Sequence, residues 1–467
     1  MGDGETLCTT AIQAALDAAA EAGGGVVRIA QGTYLSGTIF LRSRVTLEIL
    51  PGAVLLGSPR IEDYPPQDWP VWWPYQKSYN WAHLIIAEEV EDITICGGGE
   101  INGNGHHFWQ EMPKPGERRW IPYKLPRPER MLMFRKCANV RVRDIRLEHS
   151  PAWNVQFFEC DRCFVSGVQV RGERFGPNID GFDVQGCRDM MFSDCNIDTG
   201  DDAFVMFPSA DRDCERVTVT NCTIRTNCVA FKAYLFNRRA ARDLVFSNSV
   251  VHHTPRAVGL YAFDHGLIEN VTVSNITVDT DSTYWLNRAL TIEAKHCDRA
   301  VDSDETEKRG TIRNVSMSNC VIRSDGRLLF SASDEMSIQN ISLRDIVLDY
   351  PVIDDASISG KDVDSESCMD HSDGGRMARA AVVVENIQGL AIENLQIRWP
   401  ETDPFRKWGG LQNNQGESIP YPGEENPPFS VIYSRDVTNA VFDNPLANPH
   451  KVAEKYDIED SEVTVRG

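Results

Sequence analysis

The sequence has no uninterrupted apolar run approaching 18 residues, so no stretch of it is long enough to cross a bilayer as a helix. Basic residues are in short supply: 47 Lys and Arg stand against 68 Asp and Glu, a net charge of −21. Phosphate binding needs basic surface, so nucleic acid is excluded as the expected partner. The opening MGDGETLC has neither a charged n-region nor an apolar h-region. As given, the chain is expected in the cytoplasm, or in the periplasm or outside the cell if a leader has been removed. Helical periodicity is almost absent too. The one good amphipathic helix is TTAIQAALDAAAEAGGG (9–25), which starts on Thr and stops at Gly.

Thirteen cysteines are present, but their spacing carries little metal chemistry. Cys160 and Cys163 form a lone CDRC with no second pair at zinc-site distance. Many of the others sit in repeated settings such as DCNI, NCTI and NCVI, where cysteine serves as a small buried hydrophobe. CGGGEINGNG is glycine-rich but opens no helix, which argues against a nucleotide site. No cofactor and no metal are expected, and no oligomeric state is assigned.

One phrase recurs along the chain. It reads NVRVRDIRL (139–147), DMMFSDCNI (189–197), RVTVTNCTI (216–224), DLVFSNSVV (243–251), NVTVSNITV (270–278), NVSMSNCVI (314–322), NISLRDIVL (340–348) and GLAIENLQI (389–397), with a shorter copy at 163–170. Equivalent apolar positions are Val142, Val165, Phe192, Val219, Phe246, Val273, Met317, Leu343 and Ile392, spaced by 23, 27, 27, 27, 27, 44, 26 and 49. A unit this short, made of alternating strands broken by Gly, Asn or Asp, cannot bury its own apolar face and must stack on copies of itself. The expected fold is all-β: a right-handed parallel β-helix over residues 1–400, closed by the N-terminal helix. The repeat fades after about 400, so residues 401–467 are expected to form an irregular C-terminal cover. The sequons at Asn270, Asn275, Asn314 and Asn340 belong to the repeat phrase and say little about glycosylation.

Strand alternation lets the coils be superposed. Phe182, Phe204, Val229, Val258 and Leu290 form one inward row, and Val184, Met206, Phe231, Leu260 and Ile292 the next. Asp180, in PNIDGFDV, and Asp202, in NIDTGDDAF, then share one column on adjacent coils, and Asn227 continues it on the third. Asp183 should face outward beside them, and Asp201 lies one step earlier. Crowded carboxylates push one another's pKa values apart, which is the division of labour glycoside cleavage needs. A calcium-binding or turn-capping cluster is the competing reading.

These phrases resemble glycoside hydrolase family 28, the polygalacturonase-like right-handed parallel β-helices. The resemblance covers roughly residues 2–350 and is most specific at PNIDGFDV with DTGDDAF. It implies an inverting hydrolase in which Asp201 is the general acid, Asp180 and Asp202 position and deprotonate the attacking water, and Asn178 orients the site. Two family motifs are altered. Asn227 stands where the family has a histidine, in Thr226-Asn227-Cys228-Val229, and Gly259-Leu260-Tyr261 replaces an Arg-Ile-Lys that would grip a uronate. Lys232, the aligned strand position one coil earlier, with Arg256 and Arg174, are the candidates to return positive charge. Asp183, Asn227 and Tyr261 complete the expected substrate contacts.

A long polyanion wants several cations along its path, so a pectin-like or other plant or algal oligosaccharide cut from one end fits better. WPVWWPYQKSYNW (69–81), with Trp109 and Trp120, supplies aromatic faces for sugar rings. Two other readings stay open: a polysaccharide lyase or uronan epimerase, with Lys232 as base, and a non-catalytic carbohydrate-binding solenoid.

Overall fold

The computed structural model describes residues 2–67, 82–110, 121–124, 126–235, 237–280, 288–296, 309–324, 326, 328–350, 380–398, 411–412, 418–419, 430–443, 446–447 and 454–466. The chain is a right-handed parallel β-helix. It divides into two compact units, residues 1–226 and residues 227–467.

The first unit opens with a strand, Asp3–Leu7, laid parallel to Gly32–Ser36. The helix Thr9–Glu21 follows. Its alanines favour the helical backbone, and Ile12 and Leu16, one turn apart, are the side chains it buries. It ends where Gly23 and Gly24 take φ of 93° and 126°, which residues with a Cβ resist. Gln13 fastens it to the first coil: its Oε1 accepts from the Phe40 amide at 2.7 Å and its Nε2 donates to the Phe40 carbonyl at 3.1 Å. The helix thus covers the open end of the apolar column, as the sequence suggests.

Each later coil of this unit has three short strands. Trp153–Phe158, Asp161–Ser166 and Gln169–Arg171 make one coil. The next has Phe182–Gln185, Arg188–Ser193 and Asn196–Thr199. The pairings Val142 with Val165, Val165 with Phe192 and Phe192 with Val219 reproduce the spacing read from the sequence. Phe182, Phe192 and Phe204 pack inside, with centroids 5.2–5.3 Å apart. The cysteines form a rung of the same ladder. The Cys137 amide lies 3.4 Å from Cys160 Sγ, and the Cys160 amide 3.3 Å from Cys187 Sγ. Both thiols of the CDRC pair are fully buried, and burial pushes them well above the ordinary thiol range. The eleven cysteines among the described residues are all buried.

The second unit repeats the scheme with longer strands: Ala240–His252, Leu267–Asp279, Thr311–Arg323 and Ser337–Asp349. Phe246 pairs with Val273, Val273 with Met317, Met317 with Leu343 and Leu343 with Ile392. The spacings of 44 and 49 are therefore coils that return to register after an insertion. Two Asn or Asp residues in each of these strands sit at positive φ and turn the chain. Their side chains bond from coil to coil, each asparagine donating from Nδ2: Asn270 to Asp243 Oδ1 at 2.9 Å, Asn314 to Asn270 Oδ1 at 3.1 Å and Asn340 to Asn314 Oδ1 at 3.1 Å. The sequons Asn270, Asn314 and Asn340 are rungs of that ladder.

Two registers differ from the sequence reading. Phe231 pairs with Val258 and Ala233 with Leu260, while Val229 pairs with Arg256. The row drawn through Val229 and Val258 is thus displaced by two residues. The run VAFKAYL is apolar enough to fit either of two in-phase registers, and the 27-residue coil length decides between them. Val258 with Leu290 and Leu260 with Ile292 pair as expected. Past residue 401, where the sequence reading places an irregular cover, Ser430–Asp443 stacks in parallel on Ala380–Arg398, and Glu454–Glu459 on Ser430–Asp443.

Candidate active site

The carboxylates singled out in the sequence all lie in the first unit. Phe182 pairs with Phe204 and Asp183 with Val205, so Asp180 and Asp202 hold equivalent places at the entrances of neighbouring strands. Backbone bonds fix that alignment: the Gly181 amide donates to the Asp202 carbonyl at 2.8 Å, and the Asp201 amide to the Ile179 carbonyl at 3.1 Å. Asn154, one coil earlier, holds the Asp180 carbonyl twice, from its amide at 2.9 Å and its Nδ2 at 2.7 Å.

Close approach demands glycine at two points. A Cβ on Gly181 would meet the Ala203 carbonyl oxygen at 2.4 Å, and one on Gly200 the Glu173 oxygen at 2.6 Å and the Arg174 oxygen at 3.0 Å. The glycines before Asp201 and after Asp180 therefore let adjacent turns touch. Thr226 Oγ1 donates to the Asp201 carbonyl. The peptide on each side of the trio is thus held by a named partner.

The three acids differ in exposure. Asp180 is 6% exposed and Asp202 5%, whereas Asp201 is partly exposed. The Asp202 amide donates to Asp201 Oδ1 at 2.9 Å. Carboxylate oxygens of Asp201 and Asp202 come within 4.8 Å of each other. Asp183 is not the outward neighbour expected: its strand, Phe182–Gln185, is buried on both faces and Asp183 is covered.

Two buried arginines of this unit were missed in the sequence. Arg130, 1% exposed, donates from Nε to Gln156 Oε1 at 2.7 Å, and Gln156 Nε2 donates to Gln185 Oε1 at 2.9 Å. Burial lowers the Arg130 pKa, and the nearby negative charges of Glu129, Asp183 and Asp180 oppose that shift. Arg127, equally buried, donates to the Pro151 oxygen at 2.9 Å, the Pro177 oxygen at 2.8 Å and Asn178 Oδ1 at 2.9 Å. Its guanidinium carbon lies 3.9 Å from the Tyr123 ring centroid. Asn178, at φ 58°, is therefore clamped by Arg127 as it turns the chain into Asp180. The available signal was PRPER, two arginines at the mouth of an apolar strand, a place where a solvated charge has no room.

The remaining candidates are distributed as follows. Arg174 is half-buried in the turn whose backbone abuts Gly200. Asn227, Lys232, Arg256 and Tyr261 belong to the second unit and are buried there. Lys232 Nζ sits 4.6 Å from the Tyr234 ring centroid, and Lys232 opposes Gly259 rather than Tyr261, which pairs with Tyr234. Of the expected sugar-stacking aromatics, residues 69–81 and Trp120 lie outside the described residues. Trp109 is 3% exposed and donates its indole N–H to the Pro151 oxygen at 3.2 Å, so it packs rather than presents a face.

The profile of glycosyl hydrolases family 28 matches residues 73–368, well over half of the chain. A probable polygalacturonase of Vitis vinifera is 30% identical over 215 residues, 43% of this chain and 41% of that protein. Polygalacturonase QRT2 of Arabidopsis thaliana is 24% identical over 273 residues, 57% of this chain and 59% of that protein. The chain thus spans about half the length of these curated relatives. Among solved structures, a hyperthermoactive exopolygalacturonase from Thermotoga maritima superposes with a TM-score of 0.60 at 20% identity, over 75% of this chain and 85% of that one. The family 28 exopolygalacturonase of Yersinia enterocolitica gives 0.56 at 17% identity, over 100% and 76%. At those identities the likeness is one of fold.

Proposed function

From its place in glycosyl hydrolases family 28, to which the chain belongs, we propose that it hydrolyses glycosidic bonds of pectin-like or other plant or algal oligosaccharides, removing units from one chain end with inversion. The single observation that carries this reading is the register that sets Asp180 and Asp202 at equivalent positions of adjacent coils with Asp201 beside them. Both solved neighbours are exopolygalacturonases, which is in keeping with exo action here.

In the proposed reaction Asp201, the most accessible of the three, gives its proton to the leaving glycosidic oxygen as the bond from that oxygen to the anomeric carbon breaks. Water attacks the opposite face of that carbon and passes a proton to Asp180 or Asp202. Their low exposure suits groups that hold one water molecule rather than exchange with bulk solvent. Asn154 and Arg127 act on the peptides around Asp180, fixing where that water would be held.

The competing stereochemistry is retention, which needs a carboxylate nucleophile about 5–5.5 Å from the acid instead of the roughly 6.5–9.5 Å that leaves room for a water. Proton NMR of the first product formed from an α-linked galacturonate trisaccharide separates the two. Inversion yields the β-anomer before mutarotation. An initial α-anomer establishes the double displacement instead, and release of internal fragments in place of single terminal units refutes exo action.

A further inference from the structure

Among the described residues the chain has two tryptophans, and they are used differently. Trp109 is sealed in a cluster with Ile121 and Ile179. Trp153 is half-buried and lies one coil before Asp180. Its position follows from register: Val155 pairs with Phe182, so Trp153 stands to its strand as Asp180 stands to the next. The Asn154 bonds to the Asp180 carbonyl hold the two coils together at this point. Adjacent strands are about 4.8 Å apart, so the backbone of Trp153 lies one rung from that of Asp180.

One face of that indole is already occupied. Arg130, which pairs with Trp153 across the strands, holds its guanidinium carbon 3.9 Å from the ring centroid. The guanidinium is itself fixed by Gln156 and by Glu129, whose carbonyl accepts at 3.2 Å. A buried cation stacked on a large aromatic fixes the ring's tilt, and the half-buried indole keeps part of its surface open to a ligand. An indole needed only for packing would be enclosed, as Trp109 is.

We propose that Trp153 is the platform on which the sugar ring beside the scissile bond stacks, braced from behind by Arg130. The ligand class is a pyranose presenting an apolar face of C–H groups, whether uronate or neutral. This inference rests on the hydrolase reading for the meaning of the neighbouring acids, but its binding test does not need turnover.

The test uses the full chain carrying Trp153→Phe or Trp153→Leu, with trigalacturonate and β-1,4-galactotriose as probes. Leu fills volume without a π face, and Phe restores one. For whichever probe the parent cleaves, Trp153→Leu should raise KM about tenfold, the scale of an aromatic stacking contact. Its kcat should change by less than about twofold, because stacking is the same before and during bond breaking. Trp153→Phe should recover most of the loss. Calorimetry on Asp201→Asn, with and without Trp153→Leu, should show the same loss of affinity. If the parent cleaves neither probe, the hydrolase reading fails for these sugars while the binding comparison still decides the platform. The platform is overturned by an unchanged KM or affinity in Trp153→Leu, by equal losses in the Phe and Leu variants, or by no binding of either probe to Asp201→Asn. A loss confined to trigalacturonate overturns it as well, since charge rather than an apolar ring face would then be recognised.

Discussion

The two units build the same turn from different side chains. In the first, Asn139, Arg162, Asp189 and Arg216 occupy successive rungs, all with φ near +55°. Arg162 bonds to Asn139 at 2.8 Å and Arg216 to Asp189 at 2.6 Å. In the second, the equivalent rungs are Asp243, Asn270, Asn314 and Asn340, joined by side-chain amides that donate to the carboxylate or amide oxygen of the rung before. The left-handed conformation is fixed by the coil, while the side chain need only complement the rung above or below it. A solenoid can therefore change chemistry locally without changing its path. The strand faces show the same freedom. The first unit carries the carboxylate trio with two buried arginines nearby. In the second, buried acids are matched by cations: Glu293 by Lys295, and Glu385 by Arg435 at 3.1 Å.

That contrast can be tested first where it should not exist. The apolar rows ought to be equally demanding in both units, so Phe182→Ala, which empties the row beneath the trio, should cost about 3–5 kcal/mol. Urea denaturation measures it, and a cost below about 1 kcal/mol would show that the row is not close-packed there. The rungs should differ more subtly. Asn314→Ala puts a Cβ-bearing residue with no local hydrogen bond at φ 56° and cuts two ladder bonds, a loss of about 1–2 kcal/mol. Asn314→Gly should recover roughly half, since glycine removes the backbone strain but not the missing bonds. Equal losses in both variants would mean that the ladder, not the backbone, sets the asparagine.

Much of this organisation was legible because spacing is a strong signal in a repeat. Val142, Val165, Phe192 and Val219 pair as counted, and so do Phe246, Val273, Met317, Leu343 and Ile392. Asp180 and Asp202 could be superposed because each precedes an equivalent phenylalanine, Phe182 or Phe204. The register at Val229 and Arg256 was not legible, since a continuous apolar strand gives no preference between positions two residues apart. Nor was the burial of Asp183. Alternation says which way a side chain leaves the strand, but not whether something lies over it. Arg127 and Arg130 escaped notice for the same reason: a charge in a short segment reads as solvated until its partners are known, and Asn178 and Gln156 are 51 and 26 residues away.

The central claim is that the acids of the first unit do the chemistry. Asp201→Asn keeps size and the bond from the Asp202 amide but has no proton to give, so kcat on the cleaved oligosaccharide should fall about 10²–10⁴-fold, the usual worth of a general acid. Ligand affinity by calorimetry should stay within about threefold of the parent. Asp243→Asn, a rung of the second unit that still accepts from Asn270, should leave both unchanged. An Asp201→Asn enzyme that turns over near the parent rate would contradict the account.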